Sequence, residues 1–170
     1  AIGKMLFPTH PYGTQTTIGT QDHLKNPSIT NIKNYFKHYY VPNNVAICMA
    51  GDFDPDKVIA TIDRYFGSWK KSDNVVYPQF PVQKDLTSPV STTVMGKEAE
   101  NIMMAWKMSG AAELQNDTLS VISQILSNGK AGLFDIDINQ PMRCQGAQAF
   151  NYDMRDYSQF IMIGQPNEGQ

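Results

Sequence analysis

Charged residues are scarce in this 170-residue chain, where Asp, Glu, Lys and Arg together make up 18% of the sequence. The formal net charge is −2 and no stretch concentrates lysine or arginine, so the sequence offers no electrostatic basis for binding nucleic acid. It also lacks an apolar run long enough to cross a bilayer. Hydrophobic residues make up 41%, which is typical of a folded chain.

Metal-ligand spacing is absent as well. The three histidines are His10, His23 and His38, and none has a second histidine three to five residues away. Neither H-E-x-x-H nor the inverse H-x-x-E-H occurs, and these patterns place two ligands on one helix face. We therefore expect loop or surface positions for His10 and His23, packing among aromatic side chains for His38, and no metal site.

The chain also lacks the marks of nucleophilic or cofactor chemistry. Its two cysteines, Cys48 and Cys144, lie far apart and beside apolar runs, which favours buried free thiols over a disulfide. Neither has a histidine nearby, no G-x-S-x-G elbow occurs, and residues 127–132 (SNGKAG) are not a phosphate-binding loop. The sequence thus predicts no catalytic residue and no cofactor-binding residue.

Capping and helix-breaking residues mark the ends of the predicted elements in the first part of the chain, up to Gly67. Residues 1–27 show no sustained period and should be extended or loop-like. Ser28 is the predicted N-cap of a helix that stops before 42–44 (PNN). Residues 45–50 form an apolar run that predicts a strand buried on both faces. Asp54 then caps a helix that has Pro55 at its first position and ends at Gly67.

The spacing of Asp52, Asp54 and Asp56 is similar to the start of a calcium loop. The required glycine at the sixth position is missing, however. Helix capping and the helix dipole explain these carboxylates more simply.

A second group of predicted elements follows the polar, proline-containing stretch at residues 70–89. Residues 90–95 and 101–108 are predicted strands, followed by a helix, a short helix over 133–139, and a strand pair over 145–152 and 158–164. The core face of the longer helix is predicted to carry Leu119, Ile122, Ile125 and Leu126. The order of elements is typical of an α+β fold.

Several ordered motifs resemble the insulinase/pitrilysin family of zinc metallopeptidases. They are HPYG at 10–13, YFKHYYVPNN at 35–44, GDFDPD at 51–56, RYFGSW at 64–69, AENIMMAWKM at 99–108 and LSNGKAGLF at 126–134. Each is weak alone, but their order and spacing cover essentially the whole chain. The nearest likeness is to large bacterial, periplasmic-type members.

The resemblance implies two-layer α/β sandwich pieces with a mixed or antiparallel sheet and helices on one face. Residues 1–70 would be the C-terminal part of the first, catalytic domain, 71–89 a linker, and 90–170 the N-terminal part of a second, non-catalytic domain. By this resemblance the inverted zinc motif and a downstream glutamate ligand would precede residue 1. Neither terminus looks natural, so the chain is expected to be part of a longer protein. Family members also use an Arg and Tyr pair, for which this sequence offers Arg143 without a matching tyrosine.

The function implied is that of a non-catalytic piece of a zinc metalloendopeptidase, forming chamber wall or peptide-binding surface in a clam-shaped enclosure. Zinc is expected in the parent protein and no cofactor in this chain. The expected partners are the parent's peptide substrate, its remaining domains and, because strand edges are left open, a second copy of the chain. The alternatives are an inactive structural or partner subunit of the same family and a peptide-binding scaffold module. The residues themselves leave the cellular compartment open, and the resemblance suggests the periplasm.

Overall fold

The computed structural model describes residues 1–169, which divide between two compact units. One unit comprises Ala1–Thr16 and Pro81–Gln170, and the other comprises Thr17–Phe80. The helices are α1 (Ile2–Leu6), α2 (Pro11–Thr14), α3 (Gln21–Lys25), α4 (Ile29–Tyr39), α5 (Pro55–Phe66) and α6 (Leu114–Leu126), with a 3-10 turn at Pro42–Asn44 and a π-helical turn at Asp135–Asn139. The strands are β1 (Ile102–Ser109), β2 (Gly146–Tyr152) and β3 (Tyr157–Gln165).

Helices α4 and α5 of the Thr17–Phe80 unit begin at the predicted caps. The Ser28 hydroxyl accepts a hydrogen bond from the Asn31 N–H at 3.2 Å. The Asp54 carboxylate accepts from the Asp56 and Lys57 N–H groups, and Pro55 occupies the first helical position. Gly67 is the C-cap of α5, as predicted.

The predicted buried strand over 45–50 is wrong. The segment is extended, but within residues 1–169 it joins no ladder and its side chains are exposed. A strand buried on both faces needs neighbouring strands and a covering layer on each side, and this unit supplies neither. Cys48 is consequently exposed and Cys144 half-buried, so the free thiols are not the buried ones expected.

An antiparallel sheet organises the larger unit, with strand order β1-β3-β2. Helix α6 covers one face, where Leu119, Ala149 and Phe160 form the core. The predicted hairpin of β2 and β3 is confirmed, as are β1 and the short helical turn before β2. This arrangement confirms the α+β class.

Three further expectations from the sequence are wrong. Residues 1–27 contain three short helices instead of loop, and residues 90–95 join no ladder within the described chain. Ile122 and Ile125 are exposed, because α6 turns its Asn116, Leu119 and Ser123 positions toward the sheet. A sheet of three strands covers only this narrow stripe of the helix.

The predicted domain division at 1–70, 71–89 and 90–170 concerns the parent protein. It stays a prediction, and the two compact units of this chain follow a different partition.

Candidate functional site

Strand β2 has an unpaired edge that faces away from β3. It lies at one end of the strand order, so β3 hydrogen-bonds to only one side of it. The Ala147 N–H and C=O point to the other side, because both bond to the side chain of Asn139. Since backbone groups alternate along an antiparallel strand, the N–H and C=O of Ala149 and Asn151 also point to this side. Ala149 is only 4% exposed, so its backbone groups are covered although no third strand pairs with them.

The Asn139 side chain occupies the first position of that edge. Its Nδ2 donates to the Ala147 carbonyl at 3.0 Å, and its Oδ1 accepts from the Ala147 N–H at 2.8 Å. The second Nδ2 hydrogen goes to Asp135 Oδ1 at 3.2 Å. All donor and acceptor groups of this amide except one lone pair are thereby engaged.

Asp135 anchors both Asn139 and the loop at 128–132. Its Oδ2 accepts from the N–H groups of Asn128 (2.9 Å), Gly129 (2.9 Å) and Gly132 (3.1 Å). Gly129 has φ +78°, which lets its N–H turn toward the carboxylate without strain. The Asn128 N–H bond is the largest contribution that holds the Asp135 pKa below its usual value, although burial opposes it. The residue is only 5% exposed, so its charge is satisfied by the backbone and not by water.

A groove of about 760 Å³ runs between this edge and α6. Most of the residues that line it have polar side chains. The residues that contribute are Ser120, Ser123, Gln124, Ser127, Gly129, Lys130, Asp135, Asn139, Gln140 and Gln148–Asn151. Asn151 closes one end, where its Nδ2 donates to Asn116 Oδ1 at 3.1 Å. The buried Asn151 Oδ1 has no hydrogen-bond partner within the described residues.

A second polar cluster surrounds His10, which was expected at a loop or surface position. That expectation is wrong, because the side chain is 2% exposed. Its Nδ1 accepts from the Tyr12 N–H at 3.3 Å as the N-cap of α2, and its Nε2 lies 3.4 Å from Asp156 Oδ2. Tyr12 Oη accepts from the Asp156 N–H at 3.1 Å, and the Tyr157 ring packs edge-on against the imidazole.

The HPYG motif forms this cluster and ties the segment Ala1–Thr16 to the β2–β3 turn. A Cβ on Gly13 would collide with the Phe7 and Gly3 carbonyl oxygens, so the chain needs glycine there. Hydrogen bonding and charge from Arg155, together with His10, hold the Asp156 pKa below its usual value against desolvation. The contacts of His10 with Tyr12, Asp156 and Tyr157 join the HPYG segment to the β2–β3 turn, which is a structural role.

The remaining candidate residues do not converge. His23 caps α3 through its Nδ1, and His38 packs edge-on against the Tyr39 ring. Within residues 1–169, no group of three or more His, Cys, Asp or Glu side chains lies close enough to hold a metal ion. In the same range no helix is long and apolar enough to span a membrane. Arg143 lies in the turn before β2, with no catalytic partner beside it in the described interactions.

Sequence reasoning missed Asp135 and Asn139. The loop at 127–132 is considered in the sequence only as a phosphate-binding loop, which it is not. A glycine-rich turn that is followed by an aspartate three residues later could have indicated a carboxylate held by backbone N–H groups. No local signal marks Asn139, because its partner Ala147 lies beyond an intervening turn.

Comparison with known proteins gives a consistent set of likenesses. The family model described as the peptidase M16 inactive domain matches residues 28–169. The zinc protease PqqE of Helicobacter pylori is 27% identical over 93% of this chain, and YmxG, an uncharacterized zinc protease of Bacillus subtilis, is 27% identical over 49%. The crystal structure of a protease from Helicobacter pylori matches 96% of this chain with a TM-score of 0.71 at 23% identity. The chain spans 37% of the length of PqqE and 40% of that crystallised chain.

Proposed function

Because this chain belongs to the peptidase M16 inactive-domain family, we propose that it is a non-catalytic part of a zinc metalloendopeptidase. Within that enzyme it contributes a peptide-binding surface to the wall of the substrate chamber. The surface is the groove between β2 and α6.

The observation that supports this proposal is the groove of about 760 Å³ between β2 and α6, which is large enough for an extended segment. Most of the residues that line it have polar side chains, which can hydrogen-bond to the backbone of a bound peptide. The polar lining of α6 suits the peptide's own backbone and polar side chains.

Zinc belongs to the proposed enzyme, but the residues of this chain do not fit a zinc site. Zinc chemistry needs three protein ligands at one point, and within residues 1–169 no such group exists. The metal would activate water elsewhere in the enzyme, while this chain only binds and orients peptide. We expect the isolated chain to hold zinc at far below unit stoichiometry, as measured by elemental analysis.

The binding proposal is tested with the full 170-residue chain and a set of soluble, unstructured heptapeptides. Binding is followed by the amide NMR signals of β2 and α6. Each peptide is also prepared with one N-methyl group at successive positions, because N-methylation removes a single backbone donor. Affinity should fall where the methyl group removes a peptide N–H that bonds to the polar lining of the groove. Equal tolerance at every position, or signals that move only outside β2 and its groove, would contradict the proposal.

A second copy of the chain could instead cover the same groove. Light scattering over a range of concentrations distinguishes this case, because a dimer would bury the groove and block peptide binding. Activity of the whole enzyme is tested by cleavage of a quenched fluorescent peptide with and without a chelator. Peptide binding without chelator-sensitive cleavage would favour the inactive partner subunit. The periplasmic location is proposed from the resemblance alone, and cell fractionation tests it.

A further inference from the structure

We propose that Asn128 is a deamidation site that Asp135 protects in the folded chain. Asn128 is followed by Gly129, and the sequence contains no other Asn–Gly pair. Asparagine is a chemically labile residue. A following glycine makes it more so, because glycine has no Cβ to hinder the approach of its own nitrogen to the asparagine side chain. Asn128 is exposed, so water has access to it.

The reaction takes place within the chain and consumes one water molecule. The backbone nitrogen of Gly129 loses its proton and attacks Cγ of Asn128, which forms an N–Cγ bond and a cyclic imide. The Cγ–Nδ2 bond breaks, and Nδ2 takes up a proton and leaves as ammonia. Water then opens the imide at either carbonyl and leaves an aspartate or an isoaspartate. The reaction therefore requires a Gly129 nitrogen that can lose its proton and an Asn128 side chain that can turn toward it.

The fold opposes the loss of the Gly129 proton. The Gly129 N–H donates to Asp135 Oδ2 at 2.9 Å, and Asp135 is only 5% exposed. A deprotonated nitrogen would place a second negative charge against this carboxylate, and like charges at such a distance, away from water, repel each other strongly.

Asp135 can neither move aside nor act as the base. The N–H groups of Asn128 and Gly132 hold the same Oδ2 at 2.9 and 3.1 Å. The Asn128 N–H is the largest contribution that lowers the Asp135 pKa, and a carboxylate with a lowered pKa accepts a proton poorly. Asp135 therefore slows the reaction.

The Asn128 side chain is held at both ends as well. Its Oδ1 accepts from the N–H groups of Lys130 and Ala131 at 3.0 and 2.9 Å, which is the Asx-turn arrangement. Its Nδ2 donates to the Gln124 carbonyl at 3.0 Å. The carboxamide can turn toward the Gly129 nitrogen only if these hydrogen bonds rearrange.

Deamidation would change one end of the groove, because Gly129 and Lys130 line it. The new carboxylate could not donate to the Gln124 carbonyl, and it would lie one residue beyond Ser127, the C-cap of α6. Negative charge at the C-terminus of a helix is unfavourable. Opening of the loop at 128–132 would thus permit a permanent alteration of the groove, which the closed loop prevents.

The test compares the wild-type chain with Asp135→Asn and, as a matched control, Asp137→Asn. Asp137 lies in the same π-helical turn but is exposed. Each protein is incubated at mildly alkaline pH, and tandem mass spectrometry of the tryptic peptide that ends at Lys130 measures conversion of Asn128. Asp135→Asn should convert about tenfold faster than the wild type or more, the factor that corresponds to one hydrogen bond to a charged group. Asp137→Asn should convert at the wild-type rate. Conversion of Asp135→Asn at the wild-type rate or below it would overturn the proposal.

Two measurements on the wild type decide the matter if Asp135→Asn fails to fold, which the amide protection of β2 and β3 would show. Conversion should be much slower in native buffer than in guanidinium chloride, and the Gly129 amide should exchange more slowly than in the unfolded chain. Equal conversion in both solutions, or exchange of Gly129 at the unfolded rate, would mean that the fold does not protect the site. An unfolded chain that does not convert at Asn128 would overturn the site itself.

Discussion

At the residue scale, the Ser158 hydroxyl is a buried polar group whose removal should stabilise the folded chain. The side chain is 0% exposed, and its Oγ has no hydrogen-bond partner within the described residues. A buried hydroxyl without a partner costs about 1–3 kcal/mol relative to one that is hydrogen-bonded. We predict that Ser158→Ala raises the free energy of unfolding by about 0.5–1 kcal/mol, as measured by urea denaturation.

The control for this change is Ser109→Ala, at the end of β1. The Ser109 hydroxyl donates to Gln115 Oε1 at 2.7 Å, so its removal should leave stability unchanged or lower it by about 0.5–1.5 kcal/mol. If Ser158→Ala were destabilising by the same amount, its hydroxyl would have a partner after all.

Asp135 provides a prediction about pH. Its pKa is lowered in the folded chain, first by the Asn128 N–H, so the carboxylate is bound more favourably than in the unfolded chain. The stabilisation is therefore complete above the ordinary pKa near 3.8 and is lost as the pH falls below it. We predict that Asp135→Asn is less stable than the wild type at pH 7 and that the difference shrinks at pH 3.

The comparison is made by denaturant unfolding between pH 3 and pH 7. Asp137→Asn serves as the control, because Asp137 lies in the same turn but is exposed. If the stability difference between the wild type and Asp135→Asn stayed constant across this range, the shape of the side chain, and not its negative charge, would hold the loop at 128–132.

At the scale of elements, α5 depends on its first residue. Asp54 accepts from the N–H groups of Asp56 and Lys57, which otherwise lack partners inside the helix. We predict that Asp54→Ala lowers stability by about 0.5–2 kcal/mol and weakens the amide protection of the first turn of α5. Asp52→Ala is the control, since Asp52 lies outside the helix and is exposed. An equal loss of stability in both variants would indicate that negative charge near the start of α5, and not the capping hydrogen bonds of Asp54, stabilises the helix.

The helices could be predicted from the sequence because their signals are local. Ser28, Asp54 and Pro55 act within three residues of themselves, and the structure confirms each. The run over 45–50 could not be placed in the same way, because a strand exists only through its neighbours. Of the short helices before residue 27, α2 begins at His10, an unusual N-cap residue, whereas α3 begins at the ordinary cap Thr20 but spans only five residues.

The candidate site was less predictable than the elements. The strand pair over 145–152 and 158–164 was predicted from the sequence, and the β2–β3 ladder confirms it. Asn139 and Asp135 did not follow, since their roles arise from loop N–H groups and a strand edge that come together only on folding. The family resemblance carried information about relatives but none about these two contacts.

At the scale of the whole molecule, the larger unit is closed by contacts between distant parts of the chain. His10 lies beside Asp156, and Tyr12 Oη accepts from the Asp156 N–H, a separation of 144 residues. Thr9 and Gln83 make a similar link, because the Thr9 hydroxyl donates to Gln83 Oε1 at 2.8 Å. These contacts hold Ala1–Thr16 against the rest of its unit.

The last prediction separates the two roles of His10. Asparagine at this position would keep an acceptor for the Tyr12 N–H but lose the imidazole that reaches Asp156 and packs against Tyr157. Leucine would lose both. We predict that His10→Asn and His10→Leu both release residues 1–16, seen as faster amide exchange there and faster tryptic cleavage at Lys4, with His10→Leu the more severe. The β2–β3 ladder should keep its protection in both variants, because its bonds do not involve His10. If His10→Asn behaved as the wild type, capping of α2 alone would hold the segment, and the Asp156 contact would contribute nothing to closing the unit.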